Sequence, residues 1–212
     1  DTVDFDPGAG TVELMAYSGP DVFVSKLDSS GDLVWAKNFG GNFNIIYGWS
    51  MAMDSSGNVY TTGHFSSTVD FDPGAGTANL TSNAGNDVFV SKLDSSGNYV
   101  WAKSWGGDGS DNAASVAVDS SGNVYTTGYF SDTVDFDPGA GTANLTTCGS
   151  FDAFVSKLDS SGDYVWAKSF GGCLNEYGYS VAVDSSGNVY TTGHFSGTAD
   201  FDPGSGTANL TS

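Results

Sequence analysis

A tandem repeat constrains this chain more than anything else in it. The string DFDPG begins at Asp4, Asp70, Asp135 and Asp200, so one unit recurs every 66, 65 and 65 residues. KLDSSG begins at Lys26, Lys92 and Lys157, and DSSGNVYTTG begins at Asp54, Asp119 and Asp184. Repetition at a fixed period means one supersecondary unit stacked on copies of itself. The 212 residues hold three full periods, and the last 17 re-read the first 17.

Each unit contains DSSG twice, at Asp28, Asp54, Asp94, Asp119, Asp159 and Asp184. Asp-x-x-Gly suits a type I turn, with Gly free to take the left-handed conformation that closes a hairpin. Both flanks of every turn read as strands. In the third unit, SVAVD (180–184) enters one turn and NVYTTGHF (188–195) leaves it, while FVSKLD (154–159) and DYVWAKSF (163–170) flank the other. Composition agrees. The acid is nearly all Asp, which favours turns, and Val, Tyr and Phe supply strands. The expectation is an all-β protein with two hairpins, or four strands, per 65 residues.

Four short antiparallel strands per repeat is the pattern of a β-propeller blade. VAVDSSGNVYTTG, DAFVSKLDSSG and VWAKSFGG resemble the bacterial propeller repeats abbreviated SBBP, over nearly the whole chain. The DFDPGAGTANLTS insert is longer than the usual connection and looks like the version in secreted, repetitive bacterial surface proteins. The resemblance implies a propeller and an extracellular or cell-surface setting. It implies no particular activity.

The expected organisation is one array over 1–212. Residues 1–40 are the second half of a blade with its preceding connection. Residues 41–106 and 107–171 are blades. Residues 172–212 are the first half of a blade with its following connection. First hairpins (strands A and B) fall near 45–65, 112–130 and 178–195, and second hairpins (strands C and D) near 21–40, 87–106 and 151–171. Three blades do not close around an axis, because closed propellers need at least about four. The expected partner is therefore a second copy completing a six-bladed ring, or neighbouring repeats of a longer chain.

Charge narrows the function. The formal net charge is -19, with 25 acidic residues against 6 Lys and no Arg. Nucleic-acid binding needs cations against phosphate, and anionic membrane surfaces repel such a chain. No apolar run reaches the roughly 18 residues of a spanning helix, so membrane insertion is not expected.

The DSSG turns share one face and hardly vary. The other face carries the variable D–A connections 42–49, 108–114 and 173–179 and the ends of the B–C connections, 15–20, 81–86 and 146–151. Loops on a rigid scaffold are where binding sits. The ligand-contact candidates there are Phe43, Tyr47, Trp49, Trp105, Asp108, Asp111, Glu176, Tyr177 and Tyr179.

In an extended DFDPG box, residues two apart share a side. Asp4/Asp6, Asp70/Asp72, Asp135/Asp137 and Asp200/Asp202 are thus candidate Ca²⁺ ligands, since this cation takes several oxygens. The competing reading is an Asx-type turn capped by Asp. His64 and His194 stand where the middle unit has Tyr129, so they are read as packed aromatics rather than metal ligands or bases. The repeated Trp35, Trp101 and Trp166 are read as packing between blades. Asn79, Asn144 and Asn209 each begin N-L-T, a glycosylation pattern that the repeat produces as a by-product.

Cys148 and Cys173 are the only cysteines. They stand in a B–C and a D–A connection of one unit, where the previous unit has Asn83 and Asp108. In a propeller these connections share a face, so a disulfide is expected, and with it an oxidising compartment. The function expected is a non-catalytic secreted or surface module for adhesion, assembly or ligand binding, with a protein or glycan as ligand. A glycan-binding lectin is the first alternative, and a hydrolase or lyase on the same scaffold is the second.

Overall fold

A computed structural model describes residues 2–16, 19–41 and 45–212. Among these there are twenty strands and no helix. Strands β1 (Thr2–Asp4) and β2 (Glu13–Met15) form a small hairpin, and β3 (Val22–Leu27) and β4 (Leu33–Phe39) a larger one. Then come β5 (Ile45–Met53), β6 (Val59–Ser66), β7 (Thr68–Asp70), β8 (Asn79–Thr81), β9 (Asp87–Leu93) and β10 (Tyr99–Trp105). The next unit repeats the series as β11 (Asn112–Val118), β12 (Val124–Phe130), β13 (Thr133–Asp135), β14 (Asn144–Thr146), β15 (Asp152–Leu158) and β16 (Tyr164–Gly172). The chain finishes with β17 (Glu176–Val183), β18 (Val189–Phe195), β19 (Thr198–Asp200) and β20 (Asn209–Thr211).

Strands β5, β6, β9 and β10 form one four-stranded antiparallel sheet in chain order. Strands β11, β12, β15 and β16 form a second, which the β19–β20 hairpin extends through Gly171 and Gly172. The hairpins β3–β4 and β17–β18 stand as two-stranded sheets at the two ends. The sheets do not close into a ring.

The DSSG turns form as their residues dictate. In each, the Gly N–H donates to the carbonyl of the Asp three residues back, as Gly97 does to Asp94 at 2.9 Å. The Asp side chain caps the turn from inside, with Asp94 Oδ1 accepting from Ser96 and Asn98 N–H. All six glycines have φ between +79° and +86°, a conformation only Gly takes without strain.

The DFDPG insert folds into its own hairpin between the second and third strands of a sheet. Asp135 Oδ1 accepts from Asp137 N–H at 3.1 Å and from Ala143 N–H at 2.7 Å, and Asp137 Oδ1 accepts from Gly139 N–H at 2.7 Å. The other three copies repeat this pattern. A Cβ at Gly141 would run into Asp137 Oδ2, which is why the box continues as GxG. Phe136 between the two carboxylates points inward, onto Phe130 and Phe154.

Consecutive sheets pack face to face. Tyr60, Val88 and Val90 of one meet Ala113, Val116 and Phe130 of the next in a single buried cluster. Two side-chain links mark the seam. Ser50 Oγ accepts from Val116 N–H and Ser115 Oγ from Val181 N–H, each at 3.3 Å. At the outer edge Trp35 donates to Ser95 O and Trp101 to Ser160 O, so each seats on a turn of the next unit, half-buried. The repeated Trp is thus a contact between sheets, less enclosed than a core residue. Of the lysines, only Lys103 forms an ion pair among the described residues, with Asp163 at 3.7 Å. Lys92 and Lys157 instead lie over Tyr60 and Tyr125.

Candidate functional site

The first strand of each unit carries a bulge at the same place. Pairing runs Gly48↔Gly63 and then Ser50↔Thr62, which leaves Trp49 as the extra residue. Ala114 and Tyr179 are the extra residues of β11 and β17. A bulge bends its strand and re-aims the side chain it carries. The opposing residue is the Gly of TTG, because a Cβ at Gly63, Gly128 or Gly193 would strike the carbonyl of Tyr47, Asn112 or Tyr177. The TTG motif is therefore the partner of the bulge.

Two of the three bulges present an aromatic ring to solvent. Trp49 is 60% exposed and Tyr179 is 52% exposed. Each is pinned by a histidine on the neighbouring strand. Trp49 Nε1 donates to His64 Nδ1 at 3.1 Å, and the Tyr179 hydroxyl lies 2.8 Å from His194 Nδ1. Tyr47 stacks beside Trp49, and Tyr177 lies on His194 with ring centroids 4.8 Å apart. His64 is buried, and burial lowers its pKa against an opposing hydrogen bond with the Asn112 side chain. Neutral His64 keeps Nδ1 free to accept from Trp49. In the middle unit Ala114 replaces the aromatic and Tyr129 replaces the histidine. The two exchange together, so the histidines act as props for a polar-tipped ring.

The other predicted contacts lie elsewhere. Phe43 falls outside the described residues. Asp108 is exposed on its connection. Trp105 is a core residue packed near Phe136. Asp111 and Glu176 are buried with their carboxylates turned inward. Asp111 accepts from Gly107 and Ser131 N–H, and Glu176 Oε2 from Gly172 N–H. These three side chains are closed to a surface ligand.

They belong to a feature the sequence did not announce. The Asp that opens the third strand of each unit, Asp87 or Asp152, is buried beside the acid that opens the next unit's first strand. Asp87 faces Asp111, and Asp152 faces Glu176. Burial and the neighbouring acid push Asp152 up to about 7, and burial pushes Asp87 and Asp111 up to about 6. In the first unit the matching place holds Ile46, and Asp21 is raised mainly by burial.

The paired acids of the DFDPG boxes, expected as Ca²⁺ ligands, are occupied with their own backbone. Asp4 Oδ1 accepts from Asp6 and Val12 N–H, and Asp6 Oδ1 accepts from Gly8 N–H at 2.7 Å. Asp70 and Asp72 cap Ala78 and Gly74 in the same way. In the last box Asp200 Oδ1 accepts from Asp202 and Ala208 N–H, and Asp202 Oδ1 accepts from Gly204 N–H at 2.7 Å. The second oxygens of Asp6, Asp72, Asp137 and Asp202 point at the second Gly of the GxG that follows, where a Cβ would meet them. This is the geometry of the capped turn, the competing reading of the box. Among the described residues no three His, Cys, Asp or Glu side chains group as metal ligands at these boxes.

The connections on the variable face are tied together in two ways. Asn83 Nδ2 donates to Gly106 O at 2.8 Å in one unit. In the next, a disulfide joins Cys148 to Cys173, with Cα atoms 4.8 Å apart.

Comparison with known proteins finds one repeat three times along the chain. Residues 34–71, 100–129 and 165–197 match the SBBP β-propeller repeat. An uncharacterised WD repeat-containing protein of Acanthamoeba polyphaga mimivirus is 25% identical over 197 residues, covering 81% of this chain and 14% of that protein. Regulatory protein FlaEY of Caulobacter vibrioides is 29% identical over 107 residues, covering 50% of this chain and 11% of that protein. The chain thus spans a small part of the length of both relatives. Its three matched stretches, its all-β strands and its stacked sheets agree: the chain carries the SBBP β-propeller repeat at these three places.

Proposed function

We propose that this chain is a non-catalytic, secreted or cell-surface propeller module that binds a ligand across the face bearing its bulges. Each four-stranded sheet is one blade of about 65 residues, and the bulged first strands line the axis. The observation that carries the reading is the pair of exposed, histidine-propped rings, Trp49 and Tyr179. An exposed aromatic ordinarily loses rotamer freedom on binding. Here the hydrogen bond to His removes that freedom beforehand. The Cys148–Cys173 bond supports an oxidising, extracellular setting.

A flat, fixed indole stacks on the apolar face of a sugar ring, so Trp49 favours a glycan over a protein ligand. The net charge of -19 favours a neutral glycan over an acidic one. A glycan array, followed by titration of the best hit against Trp49→Ala, tests this. Binding falls at least tenfold while the melting midpoint stays within about 1 kcal/mol of the parent, as expected for an exposed side chain. Unchanged affinity in Trp49→Ala would remove the lectin reading.

A further inference from the structure

Two seams of the variable face carry the same arrangement of acids. A Gly-Gly pair stands at the end of each fourth strand, Gly106–Gly107 and Gly171–Gly172, and it seats the two acids side by side. A Cβ at Gly106 would run into Asp87 and lie 3.0 Å from Asp111 Oδ2, and a Cβ at Gly171 would run into Asp152. The next glycine donates its N–H to the second acid, Gly107 to Asp111 at 2.8 Å and Gly172 to Glu176 at 2.9 Å.

These acids lack a counter-charge. Asp87 and Asp152 are 2% and 6% exposed, and Asp111 and Glu176 are 0% and 1% exposed. Among the described residues the one ion pair is Lys103 with Asp163, so no lysine balances either pair. Asp87 Oδ1, Asp152 Oδ1 and Glu176 Oε1 are buried without a hydrogen-bond partner. The groups that face the first pair are Asn83 N–H on Asp87, Gly107 and Ser131 N–H on Asp111, and Asp132, a further negative charge. Tyr129 of β12 lies in the field of Asp111, and burial raises its pKa, so it stays neutral. Cys148 N–H on Asp152 and Gly172 N–H on Glu176 face the second pair. Two buried carboxylates without a cation do not both stay ionised, and a buried acceptor without a donor is costly. One proton removes both costs, because a carboxyl O–H donates to the facing carboxylate. The first seam supplies the contrast. There Ile46 stands in place of the second acid, and Asn38 Nδ2 donates to Asp21 Oδ2 at 3.0 Å. Where the acid pair is complete, Ser104 and Ser169 replace that Asn.

We infer that each pair, Asp87 with Asp111 and Asp152 with Glu176, holds one shared proton, and that this proton latches the connections of the variable face. The pair is where those connections meet. Asp87 takes the Asn83 N–H of one connection, Asp111 takes the Gly107 N–H of the next, and Asp111 N–H donates to Asn86 O at 2.8 Å. Glu176 N–H donates to Phe151 O in the same way, at 2.9 Å. When the proton leaves, two like charges stand buried between the sheets and drive the connections apart. The latch is closed in acid. It releases as pH rises through about 6 at Asp87 and about 7 at Asp152, both raised chiefly by burial. The Cys148–Cys173 bond ties the connections of the second pair covalently, so the first pair is the one free to open. This inference is independent of the ligand.

Amide hydrogen exchange at Asp111 and Ser131, at pH 5 and pH 8 and corrected for the intrinsic rates, measures opening at the first pair. Protection should fall about tenfold at pH 8, the ratio given by an Asp that titrates at about 6 when closed and at 3.8 when open. Asp87→Asn carries its own donor in place of the proton, so its protection should be equal at the two pH values, with unaltered far-UV circular dichroism. Carbon-13 titration of the carboxyl groups needs no variant. One acid of each pair should be neutral at pH 5 and ionised at pH 8. Four ionised carboxylates at pH 5, or protection in the parent that does not change with pH, would overturn the inference. An Asp87→Asn chain that loses protection with pH as the parent does would overturn it as well.

Discussion

The middle of this molecule and its two ends share a sequence and differ in what that sequence achieves. VYTTG occurs at 59–63, 124–128 and 189–193. In β6 and β12 nearly all of it is buried, and in β18 nearly all of it is exposed. Tyr60 and Tyr125 are closed from solvent, while Tyr190 is 59% exposed. Its hydroxyl still bonds to the turn Asp, as theirs do. Local structure is thus specified within a hairpin, and burial is specified by the neighbour. In a repeat array the stabilising term is the seam between units, and a unit without a neighbour keeps its shape and loses that term.

The sharpest way to break this contrast is one substitution at two equivalent places. Tyr125→Ala removes a buried ring and should cost about 3–5 kcal/mol. Tyr190→Ala removes an exposed one and should cost under about 1 kcal/mol at concentrations where the chain is monomeric. Urea melts of the two variants measure the difference, and equal midpoint shifts would abolish the distinction between middle and end.

The Cys148–Cys173 bond allows a second comparison, between units tied covalently and by hydrogen bond. It closes a loop of 25 residues, for which chain entropy gives roughly 3 kcal/mol. Asn83→Ala removes only the bond to Gly106 and should cost about 1 kcal/mol. Denaturation with and without reductant, beside the Asn83 variant, ranks the two ties.

The Asp box gives a smaller effect. Asp135→Ala leaves the N–H groups of Asp137 and Ala143 without their cap and should cost about 1–2 kcal/mol. The same cost is expected with and without a chelator if the box acts as a turn. A melting temperature that Ca²⁺ raises in the parent, and no longer raises in Asp135→Asn with Asp137→Asn, would give the box a metal-binding role.

The buried acid pairs predict a pH dependence. Asp152 titrates near 7 in the fold, above its ordinary value of 3.8, and Asp87 and Asp111 near 6. Groups raised in this way favour the folded state fully below about pH 4, and that contribution is lost as pH rises through 6 to 7. The turn acids run the other way. At Asp119, burial is outweighed by hydrogen bonds from Asn123, Ser121 and Tyr125, which lower it, so its contribution is lost as pH falls. Asp152→Asn should therefore melt close to the parent at pH 5 and above it at pH 8. Parallel pH profiles would show that the Asp152 carboxyl is not raised by its surroundings.

Most of the fold is legible because it is local. Asp-x-x-Gly fixes its turn through the side chain of its first residue and the φ of its last, and both sit within four positions. The hairpins and their order follow from that. The disulfide is legible because two rare residues appear in one unit and in no other. The site is only half legible. Trp49 and Tyr179 stand out as aromatics on a variable connection, but the bulge that turns them outward does not. Its signal is the Gly of TTG opposite, together with the joint exchange of Trp49/His64 for Ala114/Tyr129. His64 and His194 look like packing groups, and their hydrogen bonds emerge only when two strands are laid in register. Asp111 and Glu176 mislead because an acid on a loop looks solvent-facing. Only the opposing Asp87 and Asp152, 24 residues earlier in each case, reveal the pocket. In the DFDPG box, spacing alone puts Asp4 with Asp6 and Asp200 with Asp202, but which atoms the carboxylates face depends on the bend that Pro-Gly makes after them.

The serine links have a consequence for how such a chain changes over generations. Ser50 reaches Val116 and Ser115 reaches Val181, each across 66 positions, so the same link recurs one repeat further on. Unequal crossover anywhere within the repeat adds or removes one whole sheet and leaves every remaining seam intact, so copy number can drift while the outer connections diversify.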